Sequence, residues 1–407
     1  MSVEPAPPGA KLQLVALAGA TILGMTPWFS ATVAAPGMIA EWGIGQATTS
    51  WLTIAVQLGF VAGTCVSAAL MLSDRFSARR LAAVSAFATG VATLLLVRRG
   101  TGPNEAIALR LITGIALAGV YPPGIKIAAG WWRERRGTAI GILVGALTIG
   151  SAAPNLFRLG LDVAQWRSIV VAAGVGAVLS SVLFAFVVRE GPFQAPSSPF
   201  DPRAVLTVLR DRGVLLATAG YLGHMWELYA MWSSIGLFWA YVATKSSVTS
   251  SMATVLAFLT IAAGTVGCVI AGIAGDRIGR PLVTIVAMSV SGTCAVVIGT
   301  LVSAPLVLLV AVAVVWGMSI VADSAQFSAS VTELAPGRYV GTAITVQTCL
   351  GFLLTIVTIR LVPVWADWWG WERAFIPLAV GPALGILAMW RLQRSSCVDQ
   401  QSRIAPQ

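Results

Sequence analysis

The chain has 407 residues, of which 57% are hydrophobic and only 10% charged, and its formal net charge is +10. A mean hydropathy of +0.85 means more apolar surface than one soluble core can hide, which excludes a water-soluble enzyme and points to an integral membrane protein. The positive charge, which in a soluble domain would suggest nucleic acid, belongs first to the loops of such a protein.

The first ten residues carry Glu4 and three prolines. The apolar run after Lys11 is too long for a signal peptide, so the first span is expected to remain in the mature protein. A bilayer-spanning helix needs about 20 apolar residues, and twelve stretches qualify. In the first half they are Gln13 to Ala35, Ser50 to Leu72, Leu81 to Val97, Ala106 to Ala129, Thr138 to Leu159 and Ser168 to Val188. In the second half they are Val214 to Trp239, Met252 to Ile273, Leu282 to Val302, Leu306 to Ser328, Val340 to Val362 and Ala374 to Met389. The hydrophilic segment Arg189 to Gly213, with its prolines, serines and mixed charges, separates the two sets. The expectation is an all-α membrane protein of two pseudo-symmetric six-helix bundles, 13–188 and 214–391. A cytoplasmic N-tail would cover 1–12, a cytoplasmic linker 189–213 and a cytoplasmic C-tail 392–407.

Lys and Arg set the orientation. The tails and the loops after spans 2, 4, 6, 8 and 10 hold 17 of them, against 5 in the opposite loops. Both termini are therefore expected in the cytoplasm, in a plasma membrane of the bacterial inner-membrane kind. Of the five cysteines, Cys65, Cys268, Cys294 and Cys349 lie in apolar segments and Cys397 in the tail. Without a CxxC or Cys/His cluster, they read as packing residues, favouring neither disulfide nor metal.

The two halves echo one another. Asp74 and Arg75, in LMLSDRFSARR, recur 202 residues later as Asp276 and Arg277 in GIAGDRIGR, and GTAI at Gly137 to Ile140 recurs 204 residues later at Gly341 to Ile344. The chain reads as a tandem duplication. An Asp beside Arg residues on such a turn can pair with basic groups or helix termini of the other bundle in one conformation only, and so act as a latch. The plainer alternative is a turn anchor with arginines placed by topology.

In these features the chain resembles the major facilitator superfamily of secondary transporters over nearly its whole length. That family's loop motif, GxLaDRxGRR, is matched in the second copy by Gly272, Asp276, Arg277, Gly279 and Arg280. The first copy is degraded: Leu70 and Ser77 stand where glycines are usual, and Ala78 replaces a basic residue. The RxxxG motif appears as Arg110 to Gly114, and the fifth span carries Gly141, Gly145, Gly150 and Pro154 without the usual Gly-Pro pair. The resemblance implies alternating access about a cavity fed by spans 1, 4, 5, 7, 8, 10 and 11, with Asp74, Arg75 and the second-copy residues as gates.

Ionisable groups at membrane depth cost free energy and mark function. The candidates are Arg110, Arg158, His224, Glu227, Asp323 and Arg360, with Lys126 near a span end. In GYLGHMWELYAMW, helical spacing puts Gly220, His224, Glu227, Met231 and Ser234 on one face. Desolvation favours a protonated Glu227 and imidazole titrates near neutrality, so the pair could carry a proton; alternatively both are structural. A metal needs a second His/Glu pair, which is absent from the sequence, and no cofactor is expected. Arg158 and Arg360, near equivalent ends of spans 5 and 11, could join Arg110 in clamping an anion, or snorkel to the headgroups. Asp323 could bind cation or proton, or pair with Lys126. Pro27 in TPWFS frees a backbone carbonyl near the midplane, as at transporter binding sites, or simply kinks the helix.

Trp365, Trp368, Trp369 and Trp371 are expected in the last periplasmic loop and Trp131 and Trp132 beside a cytoplasmic one, as interfacial belts. Tyr221 and Trp226 could contact substrate, as could Trp232, though core packing is the default. The favoured expectation is proton-coupled uptake of a small anion, organic or inorganic, held by Arg110 with Arg158 or Arg360. Glu227, His224 and Asp323 would serve the proton. The alternatives are a drug/proton antiporter exporting hydrophobic cations and a non-transporting receptor or scaffold. One histidine and no soluble domain leave no nucleophile-base constellation. The expected partners are a small molecule, protons and the bilayer, and a monomer is compatible with all of this.

Overall fold

The computed structural model describes residues 7–132, 136–193 and 200–404, and the described residues contain helices and turns but no strand. Twelve long helical segments follow in the expected order: α1 (Ala10–Trp42), α2 (Thr48–Ala69), α3 (Ala78–Leu95), α4 (Pro103–Trp131), α5 (Gly137–Phe157), α6 (Val163–Phe186), α7 (Arg212–Lys245), α8 (Ser250–Ile278), α9 (Arg280–Leu301), α10 (Leu306–Leu334), α11 (Gly337–Trp369) and α12 (Ile376–Ser395). Eleven of them are long and apolar enough to cross a membrane. The remaining one, α7, has the length, with 34 residues, but carries His224, Glu227 and Ser234 on its buried surface. The least lipid-like span is thus the one sheltered by its neighbours. Trp365, Trp368 and Trp369 extend α11 rather than filling the loop expected there.

Several spans are interrupted, for reasons that can be traced. In α1 the helix stops at Met25 and resumes at Ser30, around Pro27, which has no N–H to donate. In α4 it stops at Leu117 and resumes at Tyr121, because Pro122 and Pro123 cannot donate to the carbonyls of Ala118 and Gly119. In α10 the break falls at Asp323, without a proline. Shifted by the 204-residue repeat, Gly119 coincides with Asp323, so both halves break at one equivalent place.

Contacts between the halves run chiefly along two seams, α5 against α8 and α2 against α11. Lipid offers no hydrophobic drive between helices, so such seams depend on close packing of small residues. Gly137, Gly141 and Gly145, spaced by four, lie on one face of α5. A Cβ on Gly141 would stand 2.8 Å from the Cys268 carbonyl oxygen of α8, and one on Gly145 2.7 Å from Thr265 Cγ2. The Thr265 hydroxyl donates to the Gly145 carbonyl at 3.0 Å. A large side chain at Gly141 would pry this seam apart.

Candidate functional site

Between the seams lies a cavity of about 580 Å³. Trp28, Phe60, Tyr121, Tyr221, Tyr229, Trp232 and Phe352 supply its aromatic wall, with Met225, Val144 and Leu147. It extends towards the Arg-rich face, where Gly137, Arg280 and Glu333 line its mouth. The other end is plugged by rings from both halves. Phe60 and Phe352 have centroids 4.5 Å apart, Trp28 lies 5.1 Å from Phe60 and 5.7 Å from Tyr229, and Tyr229 lies 5.6 Å from Trp232. Beyond the plug, towards the opposite face, Thr32, Pro36, Thr53, Ser233, Ser234 and Pro363 line a depression of about 60 Å³.

Arg110 is fully buried, and its guanidinium is spent on backbone. It donates to the carbonyls of Leu52 at 3.2 Å and Pro27 at 2.7 Å, and to that of Trp28. Two of these carbonyls, those of Pro27 and Trp28, lie at the break in α1, where Pro27 also accepts from the Ser30 hydroxyl, and the cation ties α4 to α1 and α2. Arg158 and Arg360 are half-buried, and neither they nor Arg110 lines the cavity. The three guanidinium groups form no clamp on its wall.

The titratable groups of the second half gather behind that wall. His224 Nδ1 of α7 lies 2.8 Å from Asp323 Oδ1 at the break of α10, both nearly inaccessible. The two groups are in ion-pair contact without the alignment of a linear hydrogen bond. Tyr221 and Phe327 pack beside the imidazole at centroid distances of 6.0 and 5.6 Å and against one another at 6.0 Å. One turn further along α7, Glu227 accepts from Ser291 Oγ of α9 at 2.9 Å and from Trp316 Nε1 of α10 at 2.6 Å. His224 therefore faces Asp323 rather than Glu227, and Asp323 finds its ion-pair partner within its own half. Two buried carboxylates and one imidazole share this region.

Of the three aromatic residues expected to meet substrate, Tyr221 and Trp232 line the cavity, while Trp226 turns to α12 and donates to the Pro377 carbonyl at 3.1 Å. The rings that complete the wall, Trp28, Phe60, Tyr121, Tyr229 and Phe352, carried no distinguishing signal beyond the Pro27 kink beside Trp28. Ser291 and Trp316, the partners of Glu227, carried none.

At the mouth, Gly279 takes φ 89, a left-handed turn that suits glycine, between α8 and α9. Asp276 reaches across to the start of α5, where a Cβ on Gly137 would stand 2.7 Å from Oδ2. A carboxylate at a helix N-terminus is stabilised by the unpaired N–H groups there. Arg280 holds the turn to its own half, with 3.3 Å to Asp276, 3.2 Å to Glu333 and a donation to Gln326 at 2.8 Å. Gly272 meets the Gly137 carbonyl closely, and Arg277 is exposed. In the first copy Arg75 is exposed, and the side chain of Asp74 lies outside the described residues. Ser77 and Arg79 of that turn bind Glu190, beyond α6.

A sequence model of the Major Facilitator Superfamily matches residues 17–238. The MFS-type transporter pytF of Aspergillus terreus (strain NIH 2624 / FGSC A1156) is 29% identical over 177 residues, 43% of this chain and 58% of that protein. The aligned region thus spans under two thirds of that relative's length. Among solved structures, a bacterial homologue of the human lysosomal transporter Spinster, inward-facing and unoccupied, superposes with a TM-score of 0.70 at 15% identity, covering 96% of this chain and 98% of that one. Its inward-facing, occupied form gives 0.68 at 14% identity, with the same coverage. With the family match over more than half its length and an all-helical fold shared with these structures, the chain belongs to the Major Facilitator Superfamily and is a multi-pass membrane protein.

Proposed function

We propose that the chain is a secondary transporter that exchanges protons for apolar small molecules, uncharged or cationic, across a plasma membrane. The observation that carries this is the cavity wall. Its charged lining residues are Arg280 and Glu333, which pair with one another at the mouth, and the remainder is aromatic, aliphatic or neutral. A small anion would lose its hydration there and find, among the described lining residues, no guanidinium other than that of Arg280, which is paired with Glu333. A flat apolar cation would find ring faces, worth roughly 2 kcal/mol each when desolvated.

The basic face, by its excess of Lys and Arg, is the cytoplasmic one, so the cavity faces inwards. Proton exchange is assigned to Glu227, His224 and Asp323, joined through α7 to the wall at Tyr221, Met225 and Leu228. Loading a proton there changes the charge of the helix that lines the cavity, and the plug is the element that must part. Trp28 and Trp232 have indole N–H groups without a hydrogen-bond partner among the described residues. Each costs about 1–3 kcal/mol while buried. Opening the plug to water relieves that cost, which keeps the closed state from being too stable to leave.

The test is flux in proteoliposomes under an imposed pH gradient, comparing tetraphenylphosphonium and neutral aromatic compounds with small carboxylates. Gradient-driven movement of the apolar probes, weakened in Trp232→Ala, is expected. Movement of carboxylates alone, or indifference of every flux to pH, would overturn the proposal.

A further inference from the structure

Two cysteines from opposite halves meet on the α2/α11 seam. Cys65 Sγ and Cys349 Sγ are 3.4 Å apart although 284 residues separate them in the chain. Both are free thiols, Cys65 exposed and Cys349 half-buried. The sequence offered no motif to pair them; the fold does so. Cys65 stands four residues before the end of α2, about 6 Å from the basic face at 1.5 Å per residue, where a small oxidant reaches it from the water. Deeper on the same seam Phe60 touches Phe352, and Ile344, Thr348 and Phe352 line the cavity.

We propose that Cys65 and Cys349 are an oxidative modification site: a peroxide converts them to a disulfide that welds the two halves and arrests transport. The Cys65 thiolate attacks one peroxide oxygen, giving a sulfenic acid and releasing hydroxide. The Cys349 thiol then attacks the sulfenic sulfur, the S–S bond forms and water leaves. Overall two thiols lose two electrons and two protons, and hydrogen peroxide becomes two waters. The sulfurs close from 3.4 Å to about 2.05 Å, a small movement. Once made, the bond holds α2 against α11 beside the cavity, where halves that rock about a central site must part. A thiol reductant reverses it by exchange. The consequence for flux rests on the alternating-access function proposed above; the bond itself does not.

The experiment treats the full chain, reconstituted in liposomes, with hydrogen peroxide. Peptide mapping without reductant should recover a Cys65–Cys349 linked peptide. Tetraphenylphosphonium flux should fall in proportion to the linked fraction and return with dithiothreitol. Cys65→Ser and Cys349→Ser should each keep basal flux and ignore peroxide. A readout independent of cargo uses Ser233→Cys, in the depression beyond the plug: a maleimide added from that face should label it in the reduced chain and not in the oxidised one. No linked peptide would refute the site. A linked peptide with undiminished labelling of Ser233→Cys would refute the weld. Lost labelling without measurable flux in either form would leave the weld standing and fault the cargo assignment instead.

Discussion

The breaks in α4 and α10 occupy one repeat position, yet they are built differently. In α4 two prolines interrupt the helix beside Gly119, and a Cβ there would stand 2.8 Å from Ser85 Cβ, so the site is packed shut without a side chain. In α10 the same place holds Asp323, facing His224. The halves differ in the same sense elsewhere. The first half buries Arg110 and saturates it with carbonyls, whereas the second buries two carboxylates and an imidazole and leaves His224 Nε2 without a partner among the described residues. A duplicated fold has thus kept its geometry and divided its chemistry: one half buries a cation held by backbone and the other buries two carboxylates and an imidazole.

That division is breakable by substitution. The largest effect is expected from Arg110→Met, which removes three charge-assisted hydrogen bonds to buried carbonyls, of which only that of Pro27 keeps the Ser30 hydroxyl, and should cost about 3 kcal/mol or more of stability. Thermal unfolding in detergent measures it; an unchanged midpoint with flux abolished would make Arg110 a substrate ligand instead. Asp323→Asn should cost less, about 1.5–3 kcal/mol for the lost charged partner, while abolishing proton-driven flux in protein that still folds. Coupled flux surviving in that variant would move the proton site away from α10. Asp276→Asn sharpens the comparison at the mouth. An exposed carboxylate at a helix terminus is worth about 0.3–1 kcal/mol, so the variant should fold normally and shift only the balance between inward and outward states. Accessibility of a probe thiol at Ser233 reports that shift, and no change would reduce Asp276 to a turn anchor.

Much of the architecture was legible in the sequence because lipid demands long apolar spans and basic loops mark one face. The twelve stretches, the repeat offsets and the second loop motif all follow from that constraint. The polar α7 was legible too, since a histidine and a glutamate in a span are conspicuous. Pairing was less so. His224 looked towards Glu227 by helical spacing, but rotation of α7 against α10 decides its partner, and spacing within one helix says nothing of rotation. The arginines misled for a related reason: a cation at membrane depth has the same appearance in sequence whether it meets a cavity or, like Arg110, the carbonyls of a broken neighbour. The aromatic wall was hidden because Phe60 or Phe352 in a span can face lipid, core or cavity alike. The thiol pair joins residues 284 positions apart, beyond any local signal.

The central claim is that apolar cargo in the cavity is exchanged against a proton held in the second half. Proton release on binding tests it most directly: tetraphenylphosphonium is added to the purified chain in weakly buffered detergent solution and the pH is followed. The account predicts release of protons from the native chain and none from Glu227→Gln, which still binds the probe. Equal release from both, or binding by the native chain with no release at all, would contradict it.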